Sequence, residues 1–141
     1  MNVEIFSICD AATDYAGRLN LLGAFEGIAA PKAPIMRDRC SLAIRMRFDK
    51  AEAGNHAVAV RFFDKDGNMP IPEMKAALNV KVMSGRSTSA FNLVLNINRL
   101  TFPHFGVYDI QLFVDDALQA SLPLLVAQAK ERKQVRNRMD N

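Results

Sequence analysis

The segment FGVYDIQLFVDDALQASLPLLV, residues 105–126, alternates apolar and polar side chains on both sides of two adjacent acids. Such a period of two is typical of a β-strand with one buried face. The apolar residues before and after the acids can share one face only if the chain reverses around Asp115–Ala117. The side chains expected on that face are Tyr108, Ile110, Leu112, Val114, Leu118, Ala120 and Leu122. The segment therefore predicts a closing β-hairpin.

The two acids at this reversal, Asp115 and Asp116, could be a hairpin tip or a catalytic carboxylate pair. A tight reversal usually asks a central residue to take positive φ, which Asp tolerates better than most residues. A catalytic pair instead needs a cleft that separates the proton affinities of its two carboxyl groups, and a hairpin tip is exposed. We therefore interpret the acids as the turn.

Period-two patterning recurs along residues 3–126, and no stretch before residue 129 sustains the spacing of an amphipathic helix. The clearest alternation puts five side chains of one strand in the core: Cys40, Leu42, Ile44, Met46 and Phe48. About eight strands are predicted: 3–10, 18–28 with a bend near Gly23 and Gly27, 40–49, 56–63, 76–83, 91–97 and the two strands of the closing hairpin. This pattern predicts an all-β fold, an antiparallel immunoglobulin-like β-sandwich.

The basic charge of the chain lies in its last residues. The 141 residues have a formal net charge of +3, and residues 129–141 contain five bases and two acids, so residues 1–128 are formally neutral. We therefore divide the chain into a β-sandwich domain, residues 1–128, and a basic C-terminal tail, residues 129–141. The tail is predicted to be either a short helix or disordered, because its apolar stripe is very narrow.

Two cysteines, Cys9 and Cys40, lie inside apolar runs without the close pairing of a zinc or redox motif. We expect buried free thiols, with a disulfide between them as the alternative if their strands are neighbours. The first ten residues carry Glu4 and Asp10 and lack the features of a secretory signal. No run approaches the roughly 18 apolar residues of a membrane span. We therefore expect a cytoplasmic protein with no membrane association.

Three arginines form the candidate binding site. If the third and fourth predicted strands make a hairpin across residues 50–55, one register places Arg45 opposite Arg61, with Arg47 two residues along. Like charges in such positions are unfavourable by up to about 1 kcal/mol, so a cluster would call for nearby acids or a bound anion. Arg45, Arg47 and Arg61 are our candidate anion or partner patch, with a solvated strand face as the alternative.

The stretch DKDGN, residues 64–68, resembles the opening of a calcium-binding loop, because its acids and carboxamide supply oxygen ligands. The motif needs a glycine at its sixth place and an acid at its twelfth, and Met69 and Lys75 stand there. We therefore predict a β-turn.

The remaining polar candidates are asparagines and histidines. Asn92, Asn96 and Asn98 line one strand face, where a shelf for sugar or peptide competes with plain solvent exposure. His56 and His104 have no second ligand at a recognisable spacing and are interpreted as structural or exposed. The sequence contains no phosphate loop, nucleophile elbow or paired metal-ligand motif, so we expect no enzyme, no cofactor and no metal site.

Four segments together resemble a bacterial family catalogued only as a domain of unknown function: residues 8–17, 18–25, 62–68 and 105–124 (ICDAATDYAG, RLNLLGAF, FFDKDGN and FGVYDIQLFVDDALQASLPL). The resemblance covers residues 3–126 and implies a β-sandwich with no established activity. Similar sequences have an Asp-Gly turn where this chain has Asp115 and Asp116. The tail lies outside the resemblance.

The sequence thus favours a non-enzymatic binding or protein-interaction module. Two alternatives stay open: a nucleic-acid-associated protein acting through the tail, and an enzyme whose site is assembled from loops. The expected partner is an unknown protein, and exposed strand edges also allow a homo-oligomer.

Overall fold

The computed structural model describes residues 1–130, so most of the predicted tail lies outside it. Nine strands form two sheets within these residues: β1 Asn2–Tyr15, β2 Arg18–Ala24, β3 Gly27–Ala30, β4 Ile35–Asp49, β5 Gly54–Phe63, β6 Met74–Val80, β7 Thr88–Phe102, β8 Gly106–Val114 and β9 Ala117–Gln128. A short 3₁₀ helix, Lys50–Glu52, joins β4 to β5. None of the helical structure in the described part of the chain is long and apolar enough to cross a membrane.

The first sheet has the strand order β2-β1-β4-β7, and the second has the order β3-β9-β8-β5-β6. All neighbouring strands are antiparallel except β3 and β9, which are parallel. The apolar faces of the two sheets enclose one core. The predicted all-β, immunoglobulin-like sandwich is confirmed.

Strand β4 supplies the centre of this core, as its alternation predicts. The five side chains expected inside are each at most 2% exposed: Cys40, Leu42, Ile44, Met46 and Phe48. Two residues on the opposite face of β4 are buried as well, since Ser41 is 3% and Ala43 0% exposed. The outer face of the first sheet is therefore partly covered.

The single strand predicted over residues 18–28 is wrong, because it is divided between the two sheets. Strand β2 pairs with β1 in the first sheet, and β3 pairs with β9 in the second. Gly23 has φ +69°, and a Cβ atom there would collide with the carboxylate of Asp10. The positive φ favours glycine at this position, and the chain changes sheets just after it.

The hairpin proposed between the third and fourth predicted strands is also wrong. Strand β4 belongs to the first sheet and β5 to the second, so Lys50–Glu52 is a crossing between sheets. A hairpin and a crossing bury the same alternating side chains, which is why the sequence pattern does not separate them.

The closing hairpin has the predicted tip. Val114 pairs with Ala117, and Asp115 and Asp116 have φ values of 51° and 63°. Positive φ at both central residues of a two-residue loop is the geometry of a type I′ turn. The interpretation of the two acids as a turn is confirmed.

The crossing from β7 to β8 is fixed by a buried tyrosine. Tyr108 is 1% exposed, and its hydroxyl donates a hydrogen bond of 2.6 Å to the carbonyl oxygen of His104. Its ring packs 4.7 Å from that of Phe102, measured between centroids. A buried tyrosine bonded to the backbone a few residues upstream is a hallmark of immunoglobulin-like sandwiches.

Both cysteines are free and buried, as expected. Cys9 pairs with Ser41, so Cys40 is one residue out of step and points to the opposite face of the sheet. The two free thiols therefore point to opposite faces of the sheet, and the structure has no disulfide between them. Burial raises the pKa of both thiols.

Candidate functional site

The three arginines of the predicted patch do not cluster. Arg45 and Arg47 lie on the outer face of the first sheet, whereas Arg61 lies on β5 in the second sheet. The prediction of one patch is wrong, because it depended on the hairpin that the structure replaces with a crossing.

On the first outer face, Arg45 and Arg47 share a carboxylate of the same chain. Glu4 Oε1 accepts hydrogen bonds from Arg45 Nε at 3.1 Å and Arg47 Nη2 at 3.2 Å, and Oε2 accepts one from Arg47 Nε at 3.3 Å. The hydrogen bond from Arg47 lowers the pKa of Glu4 most, and the positive charges of both arginines lower it further. The acid that this pair requires is therefore supplied from within the chain.

A hairpin covers part of the same face. Asn92 on β7 accepts a hydrogen bond from Arg45 Nη1 at 3.0 Å and donates one to the carbonyl oxygen of Gly17 at 3.1 Å. Gly17 belongs to the turn between β1 and β2. The tip of that hairpin therefore folds over the first sheet.

The predicted asparagine shelf is thus mostly engaged within the protein. Asn92 ties the hairpin tip to Arg45, and Asn96 accepts a hydrogen bond of 2.8 Å from the hydroxyl of Ser41. Asn98 is exposed. A free polar shelf of three asparagines is not present on this strand.

The stretch of residues 64–68 forms a turn, as predicted. Asp64 Oδ1 accepts hydrogen bonds from the backbone N–H groups of Asp66 and Asn68, each at 2.9 Å. Gly67 takes positive φ, at 81°. In the described part of the chain, no group of three or more His, Cys, Asp or Glu residues is arranged to hold a metal ion.

His56 is tied to the tip of the closing hairpin. Its Nδ1 lies 2.6 Å from Asp115 Oδ2, and its Nε2 lies 2.6 Å from the carbonyl oxygen of Glu52. The bond to the Glu52 carbonyl raises the pKa of His56 most, followed by the bond to Asp115. The N–H of Ala57 and then His56 lower the pKa of Asp115. These contacts make His56 structural, as expected from the sequence.

The outer face of the second sheet carries exposed apolar side chains, which the sequence analysis did not predict. Val107, Leu118 and Leu125 are 55%, 54% and 50% exposed. Eight outward apolar side chains of this sheet are here called the apolar face: Ala57, Ala59, Ala77, Val107, Phe113, Leu118, Pro123 and Leu125. The polar residues Asp109, Gln111 and Ser121 lie between the Val107–Leu125 pair and the Phe113–Leu118 pair.

Leu118 was expected in the core and is not there. A register shift between Leu112 and Phe113 makes Leu118 pair with Phe113, whose side chain points outward. Val107 and Leu125 form a second outward pair on the same two strands. The sequence did contain a signal for this face, because Val107 and Leu125 are apolar residues at positions that alternate with the buried side chains of β8 and β9.

An ion cluster borders the apolar face. Arg61 Nε donates a hydrogen bond of 2.7 Å to Glu73 Oε2, and Lys75 Nζ lies 3.4 Å from Glu73 Oε1. The guanidinium carbon of Arg61 sits 4.2 Å from the ring centroid of Phe113. Asp116 reaches the same border, where it lines a shallow groove with Arg61 and Lys75. The charges beside the apolar face therefore largely balance.

Comparison with known proteins extends these observations. No curated protein matches the sequence. Among solved structures, the alkylpurine DNA glycosylase AlkC of Pseudomonas fluorescens, bound to DNA containing an abasic site analog, matches with a TM-score of 0.51 and 8% identity. The match covers 89% of this chain and 30% of the glycosylase, so this chain spans under a third of that protein's length. At this identity the likeness concerns the fold alone.

An immunoglobulin-like protein of Pseudomonas aeruginosa is also similar, with a TM-score of 0.37 and 13% identity, over 89% of this chain and 94% of that protein. The sequence itself matches the model of the family of unknown function DUF6941 over residues 4–127. The chain therefore belongs to this family, which agrees with the resemblance of residues 3–126 to a family of unknown function.

Proposed function

We propose that this domain is a non-enzymatic protein-interaction module that binds a partner on the apolar face. The observation that carries the proposal is the half-exposed state of Val107, Leu118 and Leu125 on one sheet face. Exposed apolar side chains that are grouped on one face of a soluble domain and bordered by polar residues mark interaction sites.

The chemistry of the face indicates the kind of partner. Ala57, Ala59 and Ala77 are small, so a partner can approach the backbone of β5 and β6 closely. The neighbouring charges of Arg61 and Glu73 are paired with each other. The face therefore suits a neutral protein surface of aliphatic and aromatic side chains, with polar contacts only at its border.

The proposed setting is the cytoplasm. Cys9 and Cys40 are both free and buried, and they point to opposite faces of one sheet. Free buried thiols are common in proteins of reducing compartments.

A photocrosslinking experiment tests the proposed face. A photoreactive amino acid is placed at Leu125 or, as the matched control, at Met36, which is 53% exposed on the first sheet. Crosslinking in intact cells at position 125, followed by mass spectrometry, should yield one defined protein that position 36 does not. The double variant Leu118→Lys/Leu125→Lys should abolish binding of that protein to the purified domain.

The same products at both positions, or binding that survives the double variant, would refute the proposed face. The double variant should retain wild-type thermal stability, because both side chains already face solvent. Stability therefore serves as the control for a folding defect.

A second candidate function rests on the charge distribution. Residues 129–141 carry the whole surplus of +3, and clustered Lys and Arg release counterions from phosphates. If this segment binds nucleic acid, affinity for DNA or RNA should fall steeply with salt and vanish when residues 129–141 are deleted. Binding that is unchanged by the deletion would exclude this function for the tail.

A further inference from the structure

The structure points to a second interaction surface, the free edge of β7. We propose that this edge pairs antiparallel with the β7 edge of a second copy of the chain, making a two-fold symmetric dimer. The surface is separate from the apolar face, since β7 belongs to the first sheet.

Strand β7 is an edge strand with an open ladder. It spans fifteen residues, Thr88–Phe102, and pairs on one side with β4. Within residues 1–130, no strand or loop makes backbone hydrogen bonds to its other side. Alternate N–H and C=O groups along this strand therefore point away from the sheet without a backbone partner among residues 1–130.

The strand also lacks the usual protection of an edge. Natural edge strands are short, or carry Lys, Pro or other charged residues that oppose pairing. The other edges follow this rule, because β3 has four residues, β2 has seven and begins with Arg18, and β6 has seven and contains Lys75. Residues 87–98 of β7 and its approach contain no charged residue and no proline.

The core beside this edge is incompletely closed. Phe91, Leu93 and Leu95 point inward and pack against the core, yet they remain only partly buried. Their pairing partners on β4, which are Met46, Ile44 and Leu42, are all 0% exposed. A strand added to β7 would therefore bury apolar side chains as well as satisfy backbone groups.

A second copy fits this edge for reasons of charge and pattern. A two-fold axis places the strand against itself, so any charged residue near the axis would meet its own like charge. The uncharged run 87–98 avoids this penalty. If the two-fold axis is perpendicular to the sheet, the inward side chains Phe91, Leu93 and Leu95 of one copy lie on the same side of the joined sheet as those of the other copy.

The part of the β7 edge that is available for pairing, here called the free stretch, is residues 88–96. Residues 97–101 lie beside residues 70–74, and the two segments line a common groove. Pairing is therefore expected over residues 88–96, with the rest of β7 left to its own chain.

Sedimentation of the full chain tests the dimer. The wild type should sediment with twice the mass of the 15.7 kDa chain. Val94→Lys places a charge on the outward side of the free stretch and should give a monomer with wild-type secondary structure. Leu22→Lys, the same kind of change at the opposite edge of the sheet where Leu22 is 71% exposed, should remain dimeric.

Hydrogen exchange gives a test that needs no variant. Every second backbone amide of residues 88–96 should be protected at high protein concentration and should exchange quickly on dilution. A wild type that is monomeric at about 1 mM, a concentration at which weak pairs already form, would overturn the proposal. Two other results would also overturn it. One is a dimer in which the β7 amides that point away from β4 exchange as fast as in the monomer. The other is a dimer that persists in a folded Val94→Lys variant.

Discussion

The outer faces of the two sheets differ in how their side chains are covered. On the first sheet, Glu4 joins Arg45 and Arg47, and the tip of the β1–β2 hairpin folds down onto Asn92. On the second sheet, Leu118 and Leu125 are left half exposed with nothing from the described chain above them. The domain therefore covers the centre of the first outer face with its own residues and leaves apolar side chains of the second half exposed, which is where we place the partner.

The largest expected effect comes from introducing the same charge on each face. Ala43 is 0% exposed on the first outer face, whereas Ala77 is exposed on the second. Ala43→Asp buries a charge without a partner and should lower the free energy of unfolding by about 3 kcal/mol or more. Ala77→Asp should change it by no more than about 0.5 kcal/mol. Urea unfolding measures both, and equal losses would mean that the two faces are not differently covered.

The next effect concerns Glu4, the carboxylate that pairs with Arg45 and Arg47 on the first outer face. Glu4→Gln leaves Arg45 and Arg47 side by side without an acid between them, so the melting temperature should fall by a few degrees. The difference from wild type should shrink in 1 M NaCl, where the Debye length is about 3 Å. Calorimetry at low and high salt checks this prediction, and a salt-independent loss would show that packing rather than charge is responsible.

The third effect is a pH dependence at the end of the second sheet. The pKa of His56 is raised above 6.5, so its contribution to stability is complete below that pH and is lost as pH rises through the raised value. The pKa of Asp115 is lowered below 3.8, so its contribution is present above that pH and is lost as pH falls through the lowered value. The pair should therefore stabilise most between pH 3.8 and 6.5.

Thermal denaturation of the wild type and His56→Gln measures this contribution. The advantage of the wild type should be largest between pH 3.8 and 6.5 and should decline as the pH rises above 6.5 through the raised pKa of His56. An advantage that grows with rising pH would show that His56 is held in the neutral form, contrary to the contacts at both ring nitrogens.

The smallest effect is expected at the border of the apolar face. Asp116 takes φ 63°, which glycine adopts without strain, so Asp116→Gly should be neutral or stabilising by up to about 1 kcal/mol. Partner binding on the apolar face should persist, since Asp116 only borders it. Chemical denaturation and a binding assay together check this, and loss of binding at unchanged stability would move the site to the hairpin tip.

Local features of the fold could be predicted from the sequence. The alternation of Cys40 to Phe48 identified the core face of β4, and the reversal at Asp115 and Asp116 identified the closing turn. Both depend on residues near one another in the chain. Side-chain period and turn chemistry are sufficient for such features.

Features that depend on sheet assignment could not be predicted. Alternation is the same in a hairpin and in a crossing, so the pattern placed Arg61 beside Arg45 when the two lie on different sheets. A one-residue change of register turns a side chain to the other face, and this is how Leu118 left the predicted core. The candidate patch failed for the first reason, and Leu118 was wrongly placed in the core for the second.

The parallel pairing of β3 with β9 has a mechanical consequence. Because the two strands run in the same direction, the start of β3 and the end of β9 lie at opposite ends of their shared ladder, from Gly27–Leu125 to Ala30–Gln128. Tension that pulls those two ends apart loads the ladder in shear, so its hydrogen bonds resist together instead of opening one after another.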